Sequence, residues 1–197
     1  MILRLVRGRV PAGHVDAVRA GLADASVPRA SPLEGLSRAH VGMRPTTEGH
    51  DIAFISAWTS ADAAMAVVGR DVERAGQLAG VSEYLEDVRV DHYEVDESVL
   101  GPPGARPLLL RFAAGVIELG ADVEIQREIR ARLGQLGDRV VEAYVGRRLH
   151  GRTVEVLLVT LWTEQPADLD LDAPIWPDIS DRYGSLWIEI YEWLATW

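Results

Sequence analysis

One eight-residue stretch occurs twice in this chain. Residues 53–60 read AFISAWTS and residues 157–164 read LLVTLWTE, with Trp58 and Trp162 at the same place in each. The tryptophans are 162 minus 58, or 104, residues apart. The preceding stretch repeats at the same offset, AHVGMR at 39–44 against AYVGRR at 143–148. A chain of this kind must build one unit of about 95 residues twice. Its 197 residues, 48% of them hydrophobic, are enough for a core in each half.

Several function classes fall away on composition. The formal charge is −10, and no run of basic residues is long enough to form a nucleic-acid face. All 20 basic residues are arginine. There is no cysteine, so disulfides, zinc–thiolate sites and cysteine nucleophiles are excluded. The N-terminus lacks the apolar core of a signal peptide, and no apolar run approaches membrane-spanning length. The expectation is a cytoplasmic protein with no membrane or nucleic-acid partner.

Taken in order, residues 2–10 read as a strand that Pro11 and Gly13 end. Residues 14–24 read as a helix with Val15, Val18 and Leu22 on one face. Strands over 36–44 and 51–58 form a hairpin across the turn residues 45–49. Ser60 caps a helix expected over 61–79, and residues 88–95 are a fourth strand. The order β-α-β-β-α-β is the ferredoxin-like split motif. Residues 98–106 read as a Pro/Gly-rich linker between repeat 1 (1–97) and repeat 2 (107–197). In the second repeat the helix over 122–136 has Ile125, Ile129 and Leu133 as its stripe, with Glu128–Arg132 as an i,i+4 pair. Strands over 140–148 and 153–162 follow. Residues 165–183 hold Pro166, Pro174 and Pro177, so the second helix is degenerate there and short turns are expected to cover the sheet. Residues 186–193 close the repeat.

The third-strand ending AFISAWTSADAAM and the closing VDHYEV resemble the antibiotic-biosynthesis-monooxygenase-like domains of the dimeric α/β-barrel superfamily. The resemblance covers nearly all of the first half, and the second half except 165–183. It implies an α+β fold in which the antiparallel sheets of two ferredoxin-like repeats face each other as an intrachain dimeric α/β barrel. One chain then supplies a pseudo-dimer, and a further homodimer is allowed.

In that architecture one face of each strand packs on helices and the other faces the barrel interior. Alternation assigns Arg4, Arg38, His40, Arg44, Phe54, Ser56, Trp58, Asp91 and Tyr93 to the interior. The second repeat gives Arg111, Glu142, Tyr144, Leu158, Thr160, Trp162, Glu189 and Tyr191. Residue character agrees between the sets: Arg4 with Arg111, Ser56 with Thr160, Trp58 with Trp162, Asp91 with Glu189, Tyr93 with Tyr191. The plainer reading is structural, since Arg–carboxylate pairs commonly neutralise each other between sheets and a strand-end Trp commonly packs in a core. His40 breaks the symmetry, because the matching position of the second repeat is Tyr144. A lone strand histidine is often only a hydrogen-bonded structural residue, yet imidazole is the side chain best matched to proton abstraction near neutral pH.

Three readings of function follow. The resemblance implies a cofactor-independent monooxygenase acting on a small aromatic or enolisable ligand in the barrel. His40 is then the base, Arg4 and Tyr93 hold the substrate anion, Trp58 is a wall, and Arg38, Ser56 and Asp91 complete the pocket. Haem degradation, also found among relatives, is disfavoured, because the first strand has no Asn and the helix expected over 61–79 has no His. The third reading is a non-catalytic small-molecule binder or a structural pseudo-dimer with a filled barrel. No metal ligand set and no phosphate-binding loop are apparent. The full helix of the first half and the imidazole of His40 place a single pocket in that half.

Overall fold

The computed structural model describes residues 1–25, 33–68, 81–100, 106–167 and 170–196. The chain is α+β, with antiparallel sheet and few helices. In order the elements are β1 (Ile2–Pro11), α1 (Val15–Ala25), β2 (Leu36–Thr46), β3 (Gly49–Trp58), α2 (Ala61–Val68), β4 (Glu86–Leu100), β5 (Leu109–Glu118), α3 (Asp122–Leu133), β6 (Val140–His150), β7 (Thr153–Trp162), α4 (Pro177–Ser180) and β8 (Ser185–Thr196). Residues 69–79 of the expected second helix lie outside the described residues. Among the described residues no helix is long and apolar enough to cross a membrane.

Contacts divide the chain into two units. The first holds Met1–His92 and the C-terminal stretch from Tyr191; the second holds Tyr93–Ile190. In the first unit the strand order is β1-β3-β2-β8. Pro11 faces Gly49 and Thr46 faces Gly49, so a two-residue turn, Thr47-Glu48, sets the β2–β3 register. The start of β4 lies along β1: Arg7 bonds Asp91 at 2.8 Å, and Gly8 lies against Val88. The tail of β8 pairs with β2, Met43 facing Glu192.

Facing residues of an antiparallel pair lie on one side of the sheet. Val6 faces Phe54, and Phe54 faces Val41. With Val10, Met43 and Ile52 these pack on Val18 and Leu22 of α1. Alternation puts Leu3, Leu5, His40, Ile55 and Ala57 on the opposite side. The interior faces expected for the second and fourth strands agree with this arrangement. Those expected for the first and third strands are reversed: Arg4, Phe54, Ser56 and Trp58 lie on the helix-packed side. The reason is local. Every residue from Ile52 to Trp58 except Ser56 is buried, so polarity along β3 carries no face signal.

The second unit repeats this plan with the order β5-β7-β6-β4. Ile125, Ile129 and Leu133 of α3 are buried against Ala143, Val145, Val156, Leu158 and Trp162, each contributing about 1.5–3 kcal/mol by leaving water. The hairpin turn again spans two residues, with His150 facing Thr153. A bulge interrupts β2 between Leu36 and Arg38, and β6 between Val140 and Glu142. Thr59 N–H donates to Gly35 O at 2.9 Å, and Thr163 N–H to Arg139 O at 2.9 Å. All of these features recur at the 104-residue offset.

Two sequence expectations shift. The stretch after Val95 continues as strand to Leu100, because its backbone pairs with β6, Glu97 facing Val145 and Leu100 facing Glu142. Only the later linker residues 101–105 lie outside the described residues. Arg132 bonds both carboxylate oxygens of Asp178 in α4, at 2.7 and 2.6 Å, while Glu128 accepts from Arg182 at 2.8 Å. That bidentate fork ties α3 to α4, and the Glu128–Arg132 pair acts through space without a hydrogen bond. The segment 170–184 holds only the four-residue α4, started by Pro177, and turns. It is fastened to β5 by Gly184 N–H to Val116 O at 2.9 Å and by the Tyr183 ring on Gly115.

A Cβ on Gly115 would lie 2.2 Å from the Tyr183 ring. Gly115→Ala is therefore expected to lower the unfolding free energy by roughly 1–3 kcal/mol, read from urea denaturation. Combining it with Tyr183→Ala costs less than the two single changes summed, because the clash is then absent.

Candidate functional site

The helix-packed face of each sheet carries the same trio. In the first unit Arg4 faces Ser56 across the β1–β3 pair, and Trp58 Nε1 donates to Ser56 Oγ at 2.9 Å. In the second Arg111 faces Thr160, and Trp162 Nε1 donates to Thr160 Oγ1 at 2.8 Å. The hydroxyl two residues before each indole lies on its own side of the strand, so it satisfies the one polar atom of a buried ring. Burial lowers the pKa of both arginines, that of Arg111 to about 10.

Arg111 is 1% exposed. Its Nε donates to Leu171 O at 2.8 Å and its Nη2 to Ala173 O at 2.9 Å. The guanidinium thus holds the covering segment 170–184 down on the sheet. Its Nη1 is buried without a partner. Beside it is a cavity of about 40 Å³, walled by Ala113, Leu158, Ile175, Trp176 and Tyr183 among others. Burial pushes the Tyr183 phenol up to about 12, against the opposing charge of Arg182. A cavity that takes benzene is about 150 Å³, so the inner part of this space takes a group of about one water's size, while its outer side is open to solvent.

The candidate residues read from sequence fall into separate groups. Arg4, Ser56 and Trp58 share one side of the first sheet. His40 is 3% exposed and lies on the other side, facing Ile55. Arg38 has His40's parity on β2 and is exposed; its Nη1 reaches Ser37 O at 3.4 Å. Asp91 accepts from Arg7 at 2.8 Å. Tyr93 groups with the second unit, where its hydroxyl donates to Glu155 Oε1 at 3.0 Å. Arg148 bonds Glu155 Oε2 at 2.6 Å and stacks 5.3 Å over the Tyr93 ring. Nearby on the same side, Tyr144 donates to Glu142 at 2.8 Å. The expected grouping of His40 with Arg4 and Trp58 is corrected: two faces of one sheet separate them. Trp176 and Tyr183 were not singled out from sequence. Their signal was two aromatic residues retained in a segment whose prolines forbid a helix.

Among the described residues no group of three or more His, Asp or Glu is placed to hold a metal ion. No family model and no curated protein matches the chain. Solved structures do match. A candidate monooxygenase from Fusobacterium nucleatum subsp. nucleatum is similar at a TM-score of 0.73 and 10% identity, over 99% of this chain and 93% of that one. An anthrone oxidase-like protein is similar at 0.60 and 14%, over 100% and 92%. A ferredoxin-fold protein from Listeria monocytogenes, described as related to antibiotic biosynthesis monooxygenases, is similar at 0.55 and 10%, over 98% and 94%. At such identities the likeness establishes the fold, which is the ferredoxin-like architecture of these monooxygenase-related structures.

The indole–hydroxyl pairs differ in depth, Thr160 being 0% exposed and Ser56 partly open to water. Thr160→Val is expected to cost about 1–3 kcal/mol, because the Trp162 N–H is left without an acceptor in a dry site. Ser56→Ala costs less, since water can replace the hydroxyl. Thermal melts of the two variants check the order.

Proposed function

We propose that this protein oxidises a small aromatic or enolisable molecule directly with O₂, without a bound cofactor. The observation that carries the reading is the trio of buried arginine, hydroxyl and tryptophan on the helix-packed face of both units. The full-length likeness to structures named as monooxygenase-related and anthrone oxidase-like supports it. In such a reaction a CH₂ group loses two hydrogens and gains one oxygen atom of O₂, and the other oxygen leaves as water. The substrate supplies the electrons, so the protein's part is to favour the substrate anion and exclude solvent. A desolvated guanidinium does the first by lowering the pKa of an enol or phenol beside it. The apolar wall and the Trp do the second. His40 lies on the other face of the sheet, so the substrate's proton passes to water as the substrate enters, before solvent is excluded. The same reading makes residues 1–97 and 107–197 a tandem duplication, joined by linker 98–106, whose sheets face each other as an intrachain barrel.

Binding without turnover is the second reading. It is favoured by the lining of the second unit's cavity, which includes no histidine or carboxylate. Its one phenol, Tyr183, titrates far above neutrality. Haem turnover is not proposed, because neither 61–79 nor 165–183 contains a histidine to ligate iron.

Oxygen uptake with an anthrone separates the readings. The oxygenase predicts one O₂ consumed per quinone formed, a loss of about 10²–10³ in kcat for Arg111→Gln, and little change for His40→Ala. Loss only in His40→Ala moves the chemistry to the other face of the sheet. No uptake above the uncatalysed rate, with the anthrone still bound, leaves the binding protein. Haem titration is expected to give no stoichiometric Soret band; a sharp one would return haem chemistry to consideration.

A further inference from the structure

Among the described residues no carboxylate forms an ion pair with Arg111, the buried cation of the second unit. The two hydrogen bonds Arg111 makes go to backbone carbonyls, Leu171 O and Ala173 O. These satisfy donors but bring no negative charge. The acid acting on it, Asp172, does so through space with no hydrogen bond, and Asp172 is exposed, where water screens it. The remaining donor, Nη1, is buried and unpartnered. Leaving such a donor and its charge unmet in an apolar setting is costly. The same side chain borders a cavity of about 40 Å³. The buried donor Nη1 and the cavity thus belong to the same side chain.

We propose that this cavity is a receptor for a monovalent anion of about water's size, or for the single anionic oxygen of a larger ligand, bound by Arg111 Nη1. The inference deepens the oxygenase reading and rests on it for the larger ligand, since a substrate enolate or phenolate oxygen takes the same place. Of the residues lining the cavity Arg111 alone is charged; Ser180 gives its hydroxyl to Pro177 O, and Trp176 and Tyr183 are the other polar side chains. The site therefore selects weakly hydrated single charges such as bromide, and rejects sulfate and phosphate, whose second charge would go unmatched. Burial that lowers the Arg111 pKa leaves it cationic at neutral pH, and a bound anion raises that pKa again.

The test is bromide soaked into crystals of the full chain at constant ionic strength, located by its anomalous signal. The expected result is a peak at hydrogen-bonding distance from Arg111 Nη1, absent from sulfate-exchanged crystals. Arg111→Met removes it. Because that variant also frees two carbonyls and can fail to fold, Ala113→Leu is the second arm. It keeps the guanidinium and both carbonyl bonds but fills the space, so the peak must vanish there as well. No peak in the wild type, a water only, or a peak unchanged in Ala113→Leu overturns the proposal. Oxygen uptake keeps the two readings apart. Bromide bound with no anthrone oxidation retains the anion receptor and removes the oxygenase. Anthrone oxidation unaffected by bromide, with no peak, does the reverse. Competitive inhibition of uptake by bromide supports both.

Discussion

Two tight hairpins decide which side chains in this protein can meet. Thr46 faces Gly49 and His150 faces Thr153, so only two residues turn each corner. Register in a hairpin follows from its loop, and a shift of one residue would send every side chain of the third strand to the other face. Everything said of the arginine, hydroxyl and tryptophan depends on that setting. It puts Arg111, Thr160 and Trp162 beneath the covering segment, and leaves Tyr144 and Glu142 on the far side. In the first unit the same rule divides Trp58 from His40.

The segment over the second sheet shows how a fold keeps a cover without a helix. Prolines remove the helical route, and aspartates make the stretch soluble. What fastens it is a few specific contacts. Arg111 takes two carbonyls, Gly184 gives an N–H to Val116, the Tyr183 ring fills the space over Gly115, and Arg132 grips Asp178. Leu171 and Ile179 are buried in the same core as the α3 stripe, so the directional bonds set the position of a cover that apolar burial also holds.

The legible part of the sequence was the part written in long-range repetition. The paired Trp strands, the split order of elements, the α3 stripe of Ile125, Ile129 and Leu133, and the broken helix over 165–183 all stand in the structure. The faces of the first and third strands were not legible by polarity, because Ile52–Trp58 is buried nearly throughout. They were legible by counting across the turn: with Thr46 opposite Gly49, odd residues of β2 face even residues of β3, so Val41 and Phe54 must share a side. Residues 98–100 read as linker because they have no strand pattern, yet backbone pairing with β6 needs none. The unpartnered Nη1 of Arg111 had no sequence signature, since it depends on where the carbonyls of Leu171 and Ala173 fall.

The tail of β8 pairs with β2, so Met43 meets Glu192 across nearly the whole chain. A ribosome makes about 5–20 residues each second, so β2 is synthesised on the order of ten seconds before its outer partner exists. For that interval Val41 and Met43 sit on a strand with one open edge, and such edges recruit other strands. The protein's exposure to misassembly is therefore greatest while it is being made, and a slower stretch of translation late in the message would lengthen it. Closing the sheet with a strand made so much later links the yield of folded protein to the timing of its synthesis.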